Sequence, residues 1–158
     1  MTPYLKDAQK KKKGENMGVE QKGISILPQE GLIINSKMIS FGISMDDVEN
    51  ILSKPNKIYK TNEGNIRCQY YQYLIELSFE KEDEFKLGWI EVYNKYSKIY
   101  NHMFIGKNIE QAIKYFNSKI MESPEFYDYG SFESYFYNKN WIELQVQFGN
   151  ITNINFGS

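Results

Sequence analysis

The stretch NWIELQVQF, residues 140–148, alternates along its length. Ile142, Leu144, Val146 and Phe148 fall on one side of an extended chain; Trp141, Glu143, Gln145 and Gln147 fall on the other. A strand with one buried face has this period of two. The face that should meet water nevertheless begins with a tryptophan. The same trio occurs in LGWIEVYN, residues 87–94, as Trp89, Ile90 and Glu91.

Working outward, alternation and turn residues predict four strands at 57–61, 67–72, 73–80 and 85–94, with a tight turn at 81–84. Four more are expected at 125–129, 132–137, 141–148 and 151–156, with a hairpin turn at Gly149 and Asn150, residues that tolerate positive φ. Each set follows a predicted helix of about three turns. The first has Ser44 as N-cap and Asp46 and Asp47 in its first turn, where the helix dipole favours negative charge. Met45, Val48, Ile51 and Leu52 form its apolar stripe, and Pro55 ends it. The second starts at Asn108, with Ile109, Ala112, Ile113 and Phe116 as its stripe.

The two helical segments also align. With Gly42 set on Gly106, Met45 matches Ile109, Val48 matches Ala112 and Leu52 matches Phe116; a short strand is expected before each glycine. The IEL of 75–77 recurs at 142–144. The expected fold is therefore α+β: two tandem helix-plus-antiparallel-meander repeats forming a sheet with helices on one face. Residues 1–22 are expected to be a disordered tail, or in part an addition to the natural chain. Residues 23–158 are expected to form one domain, with repeats at about 23–97 and 98–158.

The composition narrows the function classes. The chain has 158 residues, enough for one domain with a sizeable core. Its aromatic content of 16%, with 13 Tyr and 10 Phe, favours strands. No apolar run is long enough to cross a bilayer, and no apolar stretch follows the N-terminal charges as in a secretory signal. With one cysteine, Cys68, no intramolecular disulfide forms. These features imply a cytoplasmic protein without a membrane partner. The net charge of −1 is uneven: residues 1–22 hold six Lys against Asp7, Glu15 and Glu20, and the remainder holds 13 basic and 17 acidic residues. A mildly acidic domain argues against a nucleic-acid partner, and the run Lys10–Lys13 has the character of a solvated segment.

Catalytic signatures are absent. A triad would have to use His102, the only histidine, and no Gly-rich elbow accompanies a serine. One Cys and one His cannot make a zinc site without two carboxylates. There is no phosphate-binding loop and no dinucleotide fingerprint, so no cofactor or metal is expected. Cys68 on a strand is expected to pack rather than react. Carboxylates are plentiful, which leaves a carboxylate-dependent hydrolase formally open.

Alternation applied to neighbouring strands gathers Trp89, Glu91, Tyr93, Trp141, Glu143, Tyr70 and Glu76 on one open face: aromatic residues rimmed by carboxylates. Aromatic side chains give large contact area with few rotors to freeze, and carboxylates speed the encounter with a basic partner. Intrachain aromatic packing and self-association are the competing explanations, and a monomer or weak dimer is expected.

The segments ILPQEGLIINSKMISFGISMDDVENILSKP (residues 26–55) and QYYQYLIELSFEKEDEFKLGWIEVY (residues 69–93) resemble a bacterial tandem-repeat α+β family. Its architecture is similar to the β-lactamase-inhibitor-protein fold. The resemblance covers roughly residues 24–157. The second half departs from it: no proline follows its helix in register. The resemblance implies a concave sheet surface and a small interaction module, often a toxin immunity protein. The expected function is thus a non-enzymatic immunity or inhibitor protein that neutralises a cognate bacterial toxin domain, such as a basic nuclease, or another basic protein. The alternative is a small-ligand or envelope-associated binding module.

Overall fold

The structure, a computed structural model, describes residues 23–158; the expected tail at 1–22 lies outside the described residues. Twelve strands and two α-helices are found among the described residues. The strands are β1 (Ile24–Leu27), β2 (Gly31–Ile34), β3 (Lys37–Ser40), β4 (Lys57–Lys60), β5 (Ile66–Tyr70), β6 (Ile75–Glu80), β7 (Lys86–Val92), β8 (Lys98–Ile99), β9 (Glu125–Asp128), β10 (Glu133–Tyr137), β11 (Ile142–Gln147) and β12 (Asn150–Gly157). The helices are α1 (Met45–Leu52) and α2 (Ile109–Ile120).

The strands form two sheets: one of eight in the order β4-β5-β6-β7-β12-β11-β10-β9, and one of four in the order β3-β2-β1-β8. This overturns the expected α+β class of two helix-plus-meander repeats with helices alone on one face. The fold is sheet-dominated. Residues 24–40 make a meander of their own, β1 to β3, which β8 extends by parallel pairing of Ile26 with Ile99. That second sheet buries Ile24, Ile26, Leu32, Ile34 and Ile39 in the same core as the helices. The strand expected before Gly106 is also missing: Gly106 N–H instead donates to Ile151 O at 2.7 Å, and Ile109 N–H to Gly149 O at 2.9 Å.

The core is continuous. Cross-strand partners Cys68, Leu77 and Ile90 align with Phe156, Ile142 and Tyr137 along one face of the eight-stranded sheet. Val48 and Leu52 of α1 and Ala112 and Phe116 of α2 pack into this layer. Each fully buried aliphatic or aromatic side chain there contributes about 1.5–3 kcal/mol. The helix starts are capped locally. Ser44 Oγ accepts from Asp47 N–H at 3.1 Å, while Asp47 returns the bond to Ser44 N–H at 3.1 Å. Asn108 Oδ1 accepts from Glu110 N–H at 2.8 Å.

Two strand ends differ from the alternation reading. β11 is Ile142–Gln147, so Trp141 and Phe148 both fall outside it, at φ 54 and 53. The hairpin turn is Phe148–Gly149, not Gly149–Asn150, because Gln147 pairs directly with Asn150. Two consecutive positive φ values, 53 and 80, make it a type I′ turn. Phe148 was expected in the buried set and is fully exposed, at 101%.

Candidate protein-interaction surface

Pairing registers determine the second face of the large sheet. Glu76 on β6 lies opposite Glu91 on β7, Glu91 opposite Asn155 on β12, and Asn155 opposite Glu143 on β11. These four residues form one row across four strands, pointing away from the apolar layer. Both helices and the four-stranded sheet pack on the other, apolar side.

The row is held by hydrogen bonds. Arg67 Nη1 donates to Glu76 Oε2 at 3.0 Å and to Glu91 Oε2 at 2.6 Å. Glu76 Oε1 accepts from Tyr59 Oη at 2.7 Å and from Gln69 Nε2 at 2.8 Å. Tyr93 Oη donates to Glu91 Oε1 at 2.7 Å. At the far end, Glu143 accepts from Ser134 Oγ at 2.6 Å and from Asn155 Nδ2 at 2.8 Å. Glu76 and Glu91 therefore share one guanidinium, while Glu143 is held by neutral donors.

The electrostatics follow from this crowding. Burial pushes the Glu91 carboxyl above its ordinary range, and the neighbouring Glu76 charge adds to the shift; Tyr93 and Arg67 oppose it. Burial disfavours the Arg67 charge, but Glu91 and Glu76 more than compensate and hold the guanidinium firmly protonated. Burial and then the hydrogen bond to Glu76 push the Tyr59 phenol up.

The sequence-predicted residues separate into three groups. Glu76, Glu91 and Glu143 lie together in the row, and Trp89 sits on the same face. The Trp89 ring lies over Gly157: a Cβ added there would come 2.6 Å from the ring. Gly157 N–H donates to Trp141 O at 3.0 Å, so both tryptophans border the same glycine. Trp141 is 48% exposed, at the end of the four-residue loop 138–141 rather than on a strand. Tyr93 is buried and serves as a hydrogen-bond donor to Glu91. Tyr70 requires a correction. It faces the core, 2% exposed, and its hydroxyl donates to Ser53 O at 2.9 Å. The loop 71–74 interrupts the alternation, so Tyr70 ends β5 opposite Ile75.

Sequence reasoning missed a second aromatic group, at the sheet edge. All four residues of β9 are exposed, and Phe126 (51%), Tyr127 (43%) and Tyr129 (57%) are prominent. Phe126 packs on Tyr135 with ring centroids 5.0 Å apart, and Tyr129 stacks on Phe132 at 4.9 Å. Tyr127 Oη donates to Glu125. The available signal was composition: residues 121–138 carry Glu122, Glu125, Asp128 and Glu133, with no Lys or Arg.

Other reactive groups are placed as follows. Cys68 is buried on the apolar side, and burial pushes its thiol up to about 12, leaving almost no thiolate at neutral pH. His102 packs edge-on against Tyr115, ring centroids 4.7 Å apart. Among the described residues no group of three or more His, Cys, Asp or Glu is arranged to hold a metal ion. No helix among them is long and apolar enough to cross a membrane.

No family model matches the chain, and no curated protein matches it significantly. Two solved structures are similar. One is an extracellular protein containing a SCP domain from Bacillus anthracis str. Ames: TM-score 0.48, 14% identity, 75% of this chain and 44% of that one covered. The chain thus spans less than half the length of that protein. The other is a DUF4309 family protein (YjgB) from Bacillus subtilis subsp. subtilis str. 168: TM-score 0.44, 10% identity, 92% of this chain and 94% of that one covered. Neither is described as an immunity protein or as a β-lactamase inhibitor.

Proposed function

We propose that this is a non-enzymatic binding protein of the inhibitor or immunity kind, which takes a basic protein partner, such as a nuclease toxin domain, on its acidic aromatic sheet face in the cytoplasm. One observation carries the reading. Glu76, Glu91 and Glu143 stand in a single row with Trp89 on their face and Trp141 beside it, opposite the side where the helices pack. Glu143, half-buried, offers a fixed carboxylate to a cation, and the two indoles offer contact area that loses little rotamer freedom on binding. Buried Glu76 and Tyr93 hold Arg67 and Glu91 in place beneath that face. A hydrolytic use of the carboxylates is disfavoured because Glu76 and Glu91 are both ion-paired to Arg67 and largely buried.

The test is co-purification from the native cell, followed by binding and toxicity assays. A partner rich in Lys and Arg should emerge at a one-to-one ratio, and co-expression should relieve its toxicity. Trp89→Ala and Trp141→Ala should each weaken binding by about 2 kcal/mol or more with little change in melting temperature. Unchanged affinity with a lowered melting temperature would mean that the indoles are packing residues and would refute the proposal.

A further inference from the structure

We infer that the open edge of β9 is a strand-addition site for a basic, extended segment of the partner protein. This rests on the reading of the partner as basic, and it adds where and how that partner is held. β9 ends the eight-stranded sheet and pairs with β10 alone among the described strands. The ladder identifies the spare backbone groups. Tyr129 N–H donates to Phe132 O at 2.9 Å. Backbone direction alternates along an antiparallel ladder, so Glu125 and Tyr127 also face β10, while Phe126 and Asp128 direct N–H and C=O outward. An outward row of this kind is a template for another strand.

Charge selects the occupant. The opposite edge, β4, carries Lys57 and Lys60, whereas the β9–β10 hairpin carries three carboxylates, Glu125, Asp128 and Glu133, and no cation. Two copies meeting β9 to β9 would double that negative charge along one seam; a basic strand neutralises it. Side-chain direction refines the chemistry. Glu125 and Asp128 are three residues apart and lie on opposite faces of the sheet. The matching strand therefore has Lys or Arg at positions i and i+3, with apolar residues between them opposite Phe126 and Tyr127. The Phe126 and Tyr129 rings are already packed on neighbours, so little ordering remains to be done when a strand arrives.

The experiment is amide hydrogen exchange of the full chain, read by NMR, with two probe peptides: acetyl-TKVVKT-amide and acetyl-TEVVET-amide. With the lysine peptide at saturation, the Phe126 and Asp128 amides should gain at least about tenfold protection, as newly hydrogen-bonded groups do. The glutamate peptide should give none. Phe126→Pro removes an outward N–H without removing a β9–β10 bond and should weaken the lysine peptide about tenfold or more. Should that variant fail to fold, a lysine peptide N-methylated at one valine replaces it and should lose the protection. If the lysine peptide moves the Trp89 and Trp141 indole signals but protects no β9 amide, the edge site is overturned and the face reading stands. Binding at neither place overturns both.

Discussion

Replacing Arg67 with methionine tests how the polar row is held. The guanidinium bonds both Glu76 and Glu91, which are 1% and 12% exposed in their side chains. Methionine keeps the length of the side chain and removes the charge. Taking one partner from a buried ion pair costs about 3–5 kcal/mol, because the remaining charge is left without compensation. Arg67 is itself 25% exposed, so water replaces part of what is lost and the low end, about 3 kcal/mol, is expected at neutral pH. The pH dependence has a defined sign. Glu91 holds its proton more tightly in the folded state than in the unfolded chain. Stability attributable to it therefore falls as pH rises from the ordinary carboxylate pKa to the raised folded one. Arg67 restrains that shift, so Arg67→Met should steepen the fall. Urea unfolding should show a smaller loss at about pH 5 than at about pH 8, and adding Glu91→Gln should recover much of the loss at the higher pH. An equal loss at both values, or a loss below about 1 kcal/mol, would refute the account of the row as a charge-coupled unit.

Other expectations concern the core and a turn. Leu52→Ala and Phe116→Ala remove side chains that are 5% and 0% exposed, and should cost about 2–5 kcal/mol and about 3–5 kcal/mol in denaturant melts. A neutral result would mean that the helix concerned does not bury the stripe described. Phe148→Asn replaces a fully exposed ring at φ 53 with a residue suited to a type I′ turn, and should stabilise the chain by up to about 1 kcal/mol in a thermal melt. A marked loss of stability there would show that the ring packs on the protein.

Much of the large sheet was legible because its strands obey a simple period. The set Ile142, Leu144 and Val146 lies at 0% exposure, as the alternation requires. Ser44 and Asn108 were legible as helix starts because a cap is a local event, settled within three residues. The four-stranded sheet was not legible. β1 and β8 lie more than 70 residues apart in register, and no local pattern records a pairing of that range. The residues misjudged for facing, exposure or, for Trp141, strand membership sit where a strand yields to a loop. Tyr70, Trp141 and Phe148 each lie at a point where one residue with positive φ, or a four-residue loop, ends the alternation. The glutamate row was legible because face follows from parity alone. The aromatic edge was not, because edge position depends on strand order, which no single segment encodes.

The placement of β12 has a kinetic consequence. It lies between β7 and β11 in the middle of the large sheet, yet it follows every other described element along the chain. Until Asn150–Gly157 has left the ribosome, β7 and β11 each present an unpaired edge, and the four strands β4–β7 and the three strands β9–β11 have no seam. Closing that seam joins segments about 60 residues apart, from Val92 to Ile154, so loop entropy must be spent before the central pairing returns anything. Folding should therefore be slow relative to a helical protein of this size, and the half-assembled sheet is the species most exposed to aggregation during synthesis.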